Sequence, residues 1–178
     1  LDLPVGRGRR YMADAPSVVD AIAGGWKFTW ISYFANGPHF SPSYSGSDPS
    51  NTNTFGGLPD RICDGNLPGD TRGPDGWFNP NCFAVPPEGR FGNSGANVLV
   101  APGLNVHHLS LAKRFNVREP VFMTFTVAAS NLFNHPHFNP PRNNISASDP
   151  GVITSGIQDW RAEKHASRKF SVKLRIEW

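Results

Sequence analysis

The amino-acid sequence predicts an all-β fold: antiparallel up-and-down strands forming part of a transmembrane β-barrel, with long irregular loops. Three observations predict it. The C-terminal segment alternates without a break, Phe170, Val172, Leu174, Ile176 and Trp178 on one face and Lys169, Ser171, Lys173, Arg175 and Glu177 on the other. Period two is the signature of a strand, and a tilted strand of about 10 residues crosses a hydrocarbon layer. The connections alternate between a tight turn and long polar segments, as barrel strands are joined by short turns on one side and long loops on the other. Finally, no apolar run reaches the roughly 18 residues that a membrane-spanning helix needs.

Taken in chain order, the elements begin with the tail of a strand at 1–5. Leu1-Asp2-Leu3-Pro4 follows no start Met, basic region or apolar leader, so no signal peptide is expected and the chain reads as a piece of a longer protein. Ser17 to Ile22, with Pro16 at its start and Gly24-Gly25 behind it, predicts one or two helical turns. A strand is expected over 25–38, with Trp26, Phe28, Trp30 and Phe34 on one face, broken by Ser32, and Lys27, Thr29, Ile31 and Tyr33 on the other. Residues 40–97 form a long loop rich in Ser, Asn, Asp, Gly and Pro. A strand over 104–117 sets Leu109, Leu111 and Phe115 opposite His108, Ser110, Ala112 and Arg114.

Arg118-Glu119-Pro120 reads as a tight turn into a strand over 121–134, where Val121, Met123, Phe125, Val127 and Ala129 oppose Thr124, Thr126, Ala128 and Ser130. Small and polar inside with large and apolar outside is the barrel arrangement. A second long loop covers 138–164, and the last strand 167–178. About five strands result, treated as one partial domain over 1–178. A membrane barrel needs about eight, and lipid tolerates no open sheet edge. The remaining strands are expected upstream.

Composition removes several classes of function. A net charge of +3, from 17 basic and 14 acidic residues, gives no case for a nucleic-acid partner. The cluster Arg7, Arg9 and Arg10 is open to two readings, a phosphate site or a solvated turn. Cys63 and Cys82 lack the further ligands of a zinc site, which leaves a loop disulfide or two free thiols. Among His39, His107, His108, His135, His137 and His165 no metal-binding helical spacing occurs. His135-Pro136-His137 could set two imidazoles on one side of a strand or simply end it, whereas His107 and His108 face opposite ways.

No Gly-x-Ser-x-Gly motif marks a hydrolase nucleophile, and Ser94 in Gly92-Asn93-Ser94-Gly95 fits a glycine turn. Asp64, Asn66, Asp70 and Asp75 could supply oxygen ligands to calcium, the one cofactor in view, although Asx turns account for the same residues. Trp26, Trp30, Tyr33, Phe34 and Trp178 fit lipid-facing and girdle positions better than a sugar platform.

Several runs carry a family resemblance. Asp48-Pro49-Ser50-Asn51-Thr52-Asn53-Thr54-Phe55-Gly56-Gly57-Leu58-Pro59-Asp60-Arg61 resembles the C-terminal barrel of Oar-like TonB-dependent receptors, as do Asp64-Gly65-Asn66-Leu67-Pro68 and Trp77-Phe78-Asn79. Gly89-Arg90-Phe91-Gly92-Asn93-Ser94-Gly95, Pro102-Gly103-Leu104-Asn105 and Asn131-Leu132-Phe133-Asn134-His135-Pro136-His137-Phe138 fit the same pattern in order. The resemblance covers nearly the whole chain and implies a bacterial outer-membrane receptor with a carboxypeptidase-regulatory-like domain, a plug and a 22-stranded barrel. The chain would supply wall strands and extracellular loops, without catalysis. Trp178 stands where such barrels more usually end in Phe, and neither a TonB box nor a plug is present.

The partners implied are outer-membrane lipid, the upstream barrel strands and the barrel-insertion machinery at the last strand. Two other readings stand beside this one. The first is a soluble all-β protein with calcium-assisted hydrolysis of an ester or lactone; the second is a structural protein that self-associates through open sheet edges.

Overall fold

The computed structural model describes residues 1–159, 164–165 and 167–178. Four long strands build one sheet: β1 (Trp26–Ala35), β2 (Leu104–Arg118), β3 (Val121–Ser130) and β4 (Lys169–Glu177), lying side by side in chain order. The expected up-and-down arrangement is therefore present. Trp26 of β1 stands over the Lys113 ammonium and Trp30 stands beside His107, so β1 and β2 run in opposite directions. β2–β3 and β3–β4 are antiparallel by register. The turn between β2 and β3 is tighter than expected: only Glu119-Pro120, joined by a cis peptide bond, separates them, with a register shift between Asn116 and Arg118.

The chain divides into two compact units. The first holds Leu1–Tyr33, Asn105–His135 and Gln158–Trp178, and so most of the sheet. Its N-terminal tail pairs with the start of β1, as the Leu3 amide donates to the Trp26 carbonyl at 2.9 Å. The expected helix is present as α1 (Ser17–Ala23), with Pro16 at its N-cap and Gly24 at its C-cap. Pro is suited to a helix start because its fixed φ is already helical and the missing N–H would go unpaired there. A short ladder joins Gln158–Asp159 to Lys164–His165. Residues 160–163 and 166, and the side chain of His165, lie outside the described residues.

The second unit comprises Phe34–Leu104 and Pro136–Ile157. No ladder in it exceeds two residue pairs among the described residues: His39–Phe40 with Leu99–Val100, Tyr44–Ser45 with Gly56–Gly57, and Asp60–Arg61 with Phe83–Ala84. Such ladders are too short to hold themselves together, so packing and cross-links must do it. Phe78, Cys82, Phe83 and Leu99 form a buried cluster against which Phe40, Val98 and Ile145 pack. The Phe78 ring meets Phe40 and Phe83 edge-on at 5.9 and 6.1 Å. Cys63 and Cys82 are bonded as a disulfide, which decides between the two readings left open for them.

Candidate functional site

The sheet's two faces differ as the alternation requires. Phe170, Val172, Leu174 and Ile176 of β4 lie opposite Ala129, Val127, Phe125 and Met123 of β3. Leu109, Leu111 and Phe115 of β2 continue the row through Ala129, Val127 and Met123. Those of β4 are not enclosed in a protein core, Phe170 being 67% and Leu174 59% exposed, while Ala129 is buried. A continuous apolar band left open on one face of a sheet is what a lipid contact requires.

The opposite face carries Thr124, Thr126 and Ala128 of β3 beside Arg175, Lys173 and Ser171 of β4. A groove of about 220 Å3 opens there, lined in part by Thr29, His108, Ser110, Thr126, Ser171 and Lys173. Tyr33 meets His108 edge-on at 5.8 Å. Hydroxyls and a lysine suit a wetted lumen.

Ser32 breaks the apolar alternation of β1, and the structure supplies the reason. Its hydroxyl accepts from Trp30 Nε1 at 2.7 Å and lies 2.7 Å from His107 Nδ1. Trp30, His107 and Phe133 pack together, the His107 and Phe133 rings 5.0 Å apart. This aromatic cluster with internally satisfied polar tips lies at the loop end of the apolar face, where a girdle belongs. His107 and His108 do face opposite ways.

The sequence runs that carried the resemblance are structural ties. Arg90 Nη1 donates to Asp60 Oδ1 at 2.8 Å and Nη2 to Oδ2, while the Asn93 amide donates to Asp60 Oδ1 at 3.1 Å. The Arg90 guanidinium holds the Asp60 carboxyl below its ordinary pKa of 3.8, burial opposing it and the Asn93 amide adding to it. Asn93 Oδ1 in turn accepts from the Arg61 amide at 2.9 Å. Gly92 has no room for a side chain, since a Cβ there would lie 2.0 Å from the Leu58 carbonyl oxygen. Asp48 gathers the next turn, its carboxylate accepting from the Ser50 hydroxyl at 2.8 Å and the Asn53 amide at 2.7 Å. Burial raises the Asp48 pKa, but the bonds from Ser50, Thr52, Asn53 and Thr54 outweigh it and the net shift is downward.

The four calcium candidates are only partly brought together. Asn66 Nδ2 lies 3.2 Å from Asp64 Oδ1, but that oxygen is already paired with Arg61. The Asn66 amide is also used within the fold, donating to the Val98 carbonyl at 3.0 Å and accepting from the Val100 amide at 3.2 Å. Asp70 and Asp75 are exposed, with no hydrogen bond joining them to the first two among the described residues. No group of three or more His, Cys, Asp or Glu side chains stands close enough to hold an ion, again among the described residues. His135 is fastened through its backbone, its amide donating to Asn131 Oδ1 at 3.0 Å and its carbonyl accepting from Asn131 Nδ2 at 2.7 Å. His137 is buried and its carbonyl accepts from the Ile157 amide. Ser94 is buried, its hydroxyl turned to the Gly95 carbonyl at 3.2 Å.

Two features escaped the sequence reading. A cleft of about 540 Å3 in the second unit is lined in part by Asn36, His39, Arg72, Trp77 and Gly103, with no carboxylate among its lining residues. Trp77 Nε1 donates to the Val100 carbonyl at 2.8 Å, and Arg72 lies over the Trp77 ring at 5.8 Å. Arg72 Nε donates to the Leu67 carbonyl at 2.6 Å, which among the described residues leaves its terminal nitrogens for an anionic group. Nothing in the local sequence joins residues 36–39 to 72–77. The second is Lys113, which the register places on the apolar face opposite Phe125. Its position was legible as a lone basic residue in the series Leu109, Leu111, Lys113 and Phe115; its burial was not.

Comparison with known proteins agrees with this geometry. Residues 1–164 match the profile of a family described as an outer membrane beta barrel domain. No curated protein and no solved structure matches the chain. An open apolar band, a polar opposite face and a match over most of the sequence make this chain a member of the outer membrane beta barrel domain family, resident in the outer membrane.

Proposed function

We propose that the chain is the C-terminal part of an Oar-like TonB-dependent receptor, where it supplies wall strands and extracellular loops and catalyses nothing. The observation that carries the proposal is the open apolar face of β2, β3 and β4, backed by a hydroxyl-lined opposite face. The receptor reading draws support from the ordered runs of the resemblance. Asp60-Arg61 and Arg90–Asn93 meet in space and brace the loop between β1 and β2. A large, braced loop bearing a cationic cleft suits capture of a ligand outside the cell. The sheet ends on β4 and on β1, whose residues 26–28 alone are paired with the N-terminal tail, so further strands, supplied by an upstream segment, cover the edges that lipid does not tolerate.

The test has two arms. Expressed by itself, the chain is expected to need detergent or lipid to stay dispersed, and a monodisperse population in plain buffer would overturn the barrel reading. In cells carrying the gene with its upstream region, ligand uptake is expected to stop when TonB is deleted. Uptake that continues unchanged would leave a barrel but remove the receptor assignment.

A further inference from the structure

We infer that residues 5–25 form a lipid-binding collar at the turn end of the sheet. Arg7, Arg9 and Arg10 take the phosphate of anionic headgroups, and Val18 and Ile22 of α1 enter the acyl layer beside them.

The position of α1 follows from Lys113. Its register partner is Phe125, whose own partner is Leu174, so Lys113 belongs to the apolar face. Yet Lys113 is only 5% exposed, while Phe170, Val172, Leu174 and Ile176 on the same face are more than half exposed. What covers it is the end of α1: the ammonium donates to the carbonyls of Asp20, at 3.2 Å, and Gly24. The rings of Trp26 and Phe115 lie 5.7 and 5.3 Å from it. Helix C-terminal carbonyls carry partial negative charge, so an ammonium is neutralised there without a carboxylate. The helix therefore rests on the lipid side of the sheet.

Its depth follows from the strand. Lys113 precedes the turn residue Arg118 by a distance of about 16 Å along β2, or about 12 Å of depth at barrel tilt. That is the interfacial layer on the short-turn, periplasmic side. The side of α1 turned away from Lys113 is apolar, with Val18 72% and Ile22 70% exposed. Soluble surroundings would not favour that stripe; continuity with the lipid-facing band supplies its occupant.

The preceding turn adds charge. The Arg7 amide donates to Asp20 Oδ1 at 2.6 Å, and the Gly8 amide to the Ala13 carbonyl at 3.1 Å, which seats residues 6–13 against α1. Arg7, Arg9 and Arg10 are exposed there beside exposed Tyr11 and Met12. Of the nearby acids, Asp20 is occupied by the Arg7 amide and Asp14 is exposed. Clustered arginines beside aromatic and aliphatic side chains bind anionic interfaces.

The test is lipid retention by the full chain in detergent, read by native mass spectrometry with phosphatidylglycerol and phosphatidylcholine offered in equal amounts. The wild type is expected to keep phosphatidylglycerol about tenfold over phosphatidylcholine, roughly the effect of one or two basic contacts. Arg7→Gln/Arg9→Gln/Arg10→Gln is expected to lose that preference, and the triple Lys variant to keep it. Val18→Asp/Ile22→Asp is expected to lower retention of both lipids with the circular dichroism unchanged. Equal retention of the two lipids by the wild type, or an unaltered preference in the Gln variant, overturns the inference. Displacement of the lipid by millimolar inorganic phosphate would mark a phosphate site and overturn it too.

Discussion

Asp60 and Arg90, thirty positions apart in the chain, form a two-pronged ion pair in the loop between β1 and β2. The Asp60 side chain keeps only 13% of its exposure while Arg90 keeps 47%, so the acid is the partner held in place. Its lowered pKa gives a direction for acid sensitivity. The contribution is complete above the unfolded value near 3.8 and disappears as pH falls through the lower folded value. Protease cleavage of residues 58–95 is expected to rise as pH falls from about 3.8 through that window. In Arg90→Ala it should already be high at neutral pH. A loop equally resistant in the variant would show that the pair does not brace it.

Reducing the Cys63–Cys82 bond releases a ring with a sequence separation of 19. Chain entropy makes such a closure worth about 3 kcal/mol. The Cys63→Ser/Cys82→Ser protein is expected to unfold its loop at lower denaturant than the wild type, with the four-stranded sheet retained. Hydrogen exchange resolved by segment distinguishes the two regions.

The two faces of β4 should respond oppositely to charge. Leu174→Arg puts a cation among Phe125 and its apolar neighbours and is expected to cost about 2–4 kcal/mol if it lies near mid-bilayer. Lys173→Leu, opposite Thr126 on the other face, is expected to change stability little. Denaturant titration in vesicles measures both. Equal costs would mean that neither face meets lipid.

Lys113 tolerates loss of charge better than its reversal. Lys113→Met removes the ammonium and leaves the Asp20 and Gly24 carbonyls one donor poorer, at about 1–2 kcal/mol. Lys113→Glu sets a carboxylate against both oxygens and is expected to cost about 3 kcal/mol or more. The same titration ranks them, and a milder effect for the glutamate would contradict the capping geometry.

Calcium is expected to leave the melting temperature unchanged, because a cation at Asp64 would first have to displace the Arg61 guanidinium. Heat evolved on calorimetric titration, together with a raised Tm, would support the calcium reading.

Much of the sheet was legible because each long strand separates two solvents. Where lipid and water stand on opposite faces, period-two alternation is obligatory, and Phe170 to Ile176 display it in full. Ser32 interrupts the alternation because it bonds to Trp30 and His107, a tie across strands that spacing does not encode. The loops were legible only as loops. Their ladders are two pairs long and carry no period, and Asp60 is tied to Arg90 and Asn93 by side-chain chemistry that spacing does not encode. Lys113 depends on carbonyls some ninety positions upstream. Contacts of that range leave no local mark.

The bridge between Cys63 and Cys82 bears on the order of assembly. Both sulfurs lie between β1 and β2 in the chain, and the ring they close contains no residue of the four long strands. The bond therefore fastens the loop without tying any strand to another. The cross-link shortens the free span of the connection while leaving each of the four long strands to find its neighbour by its own register.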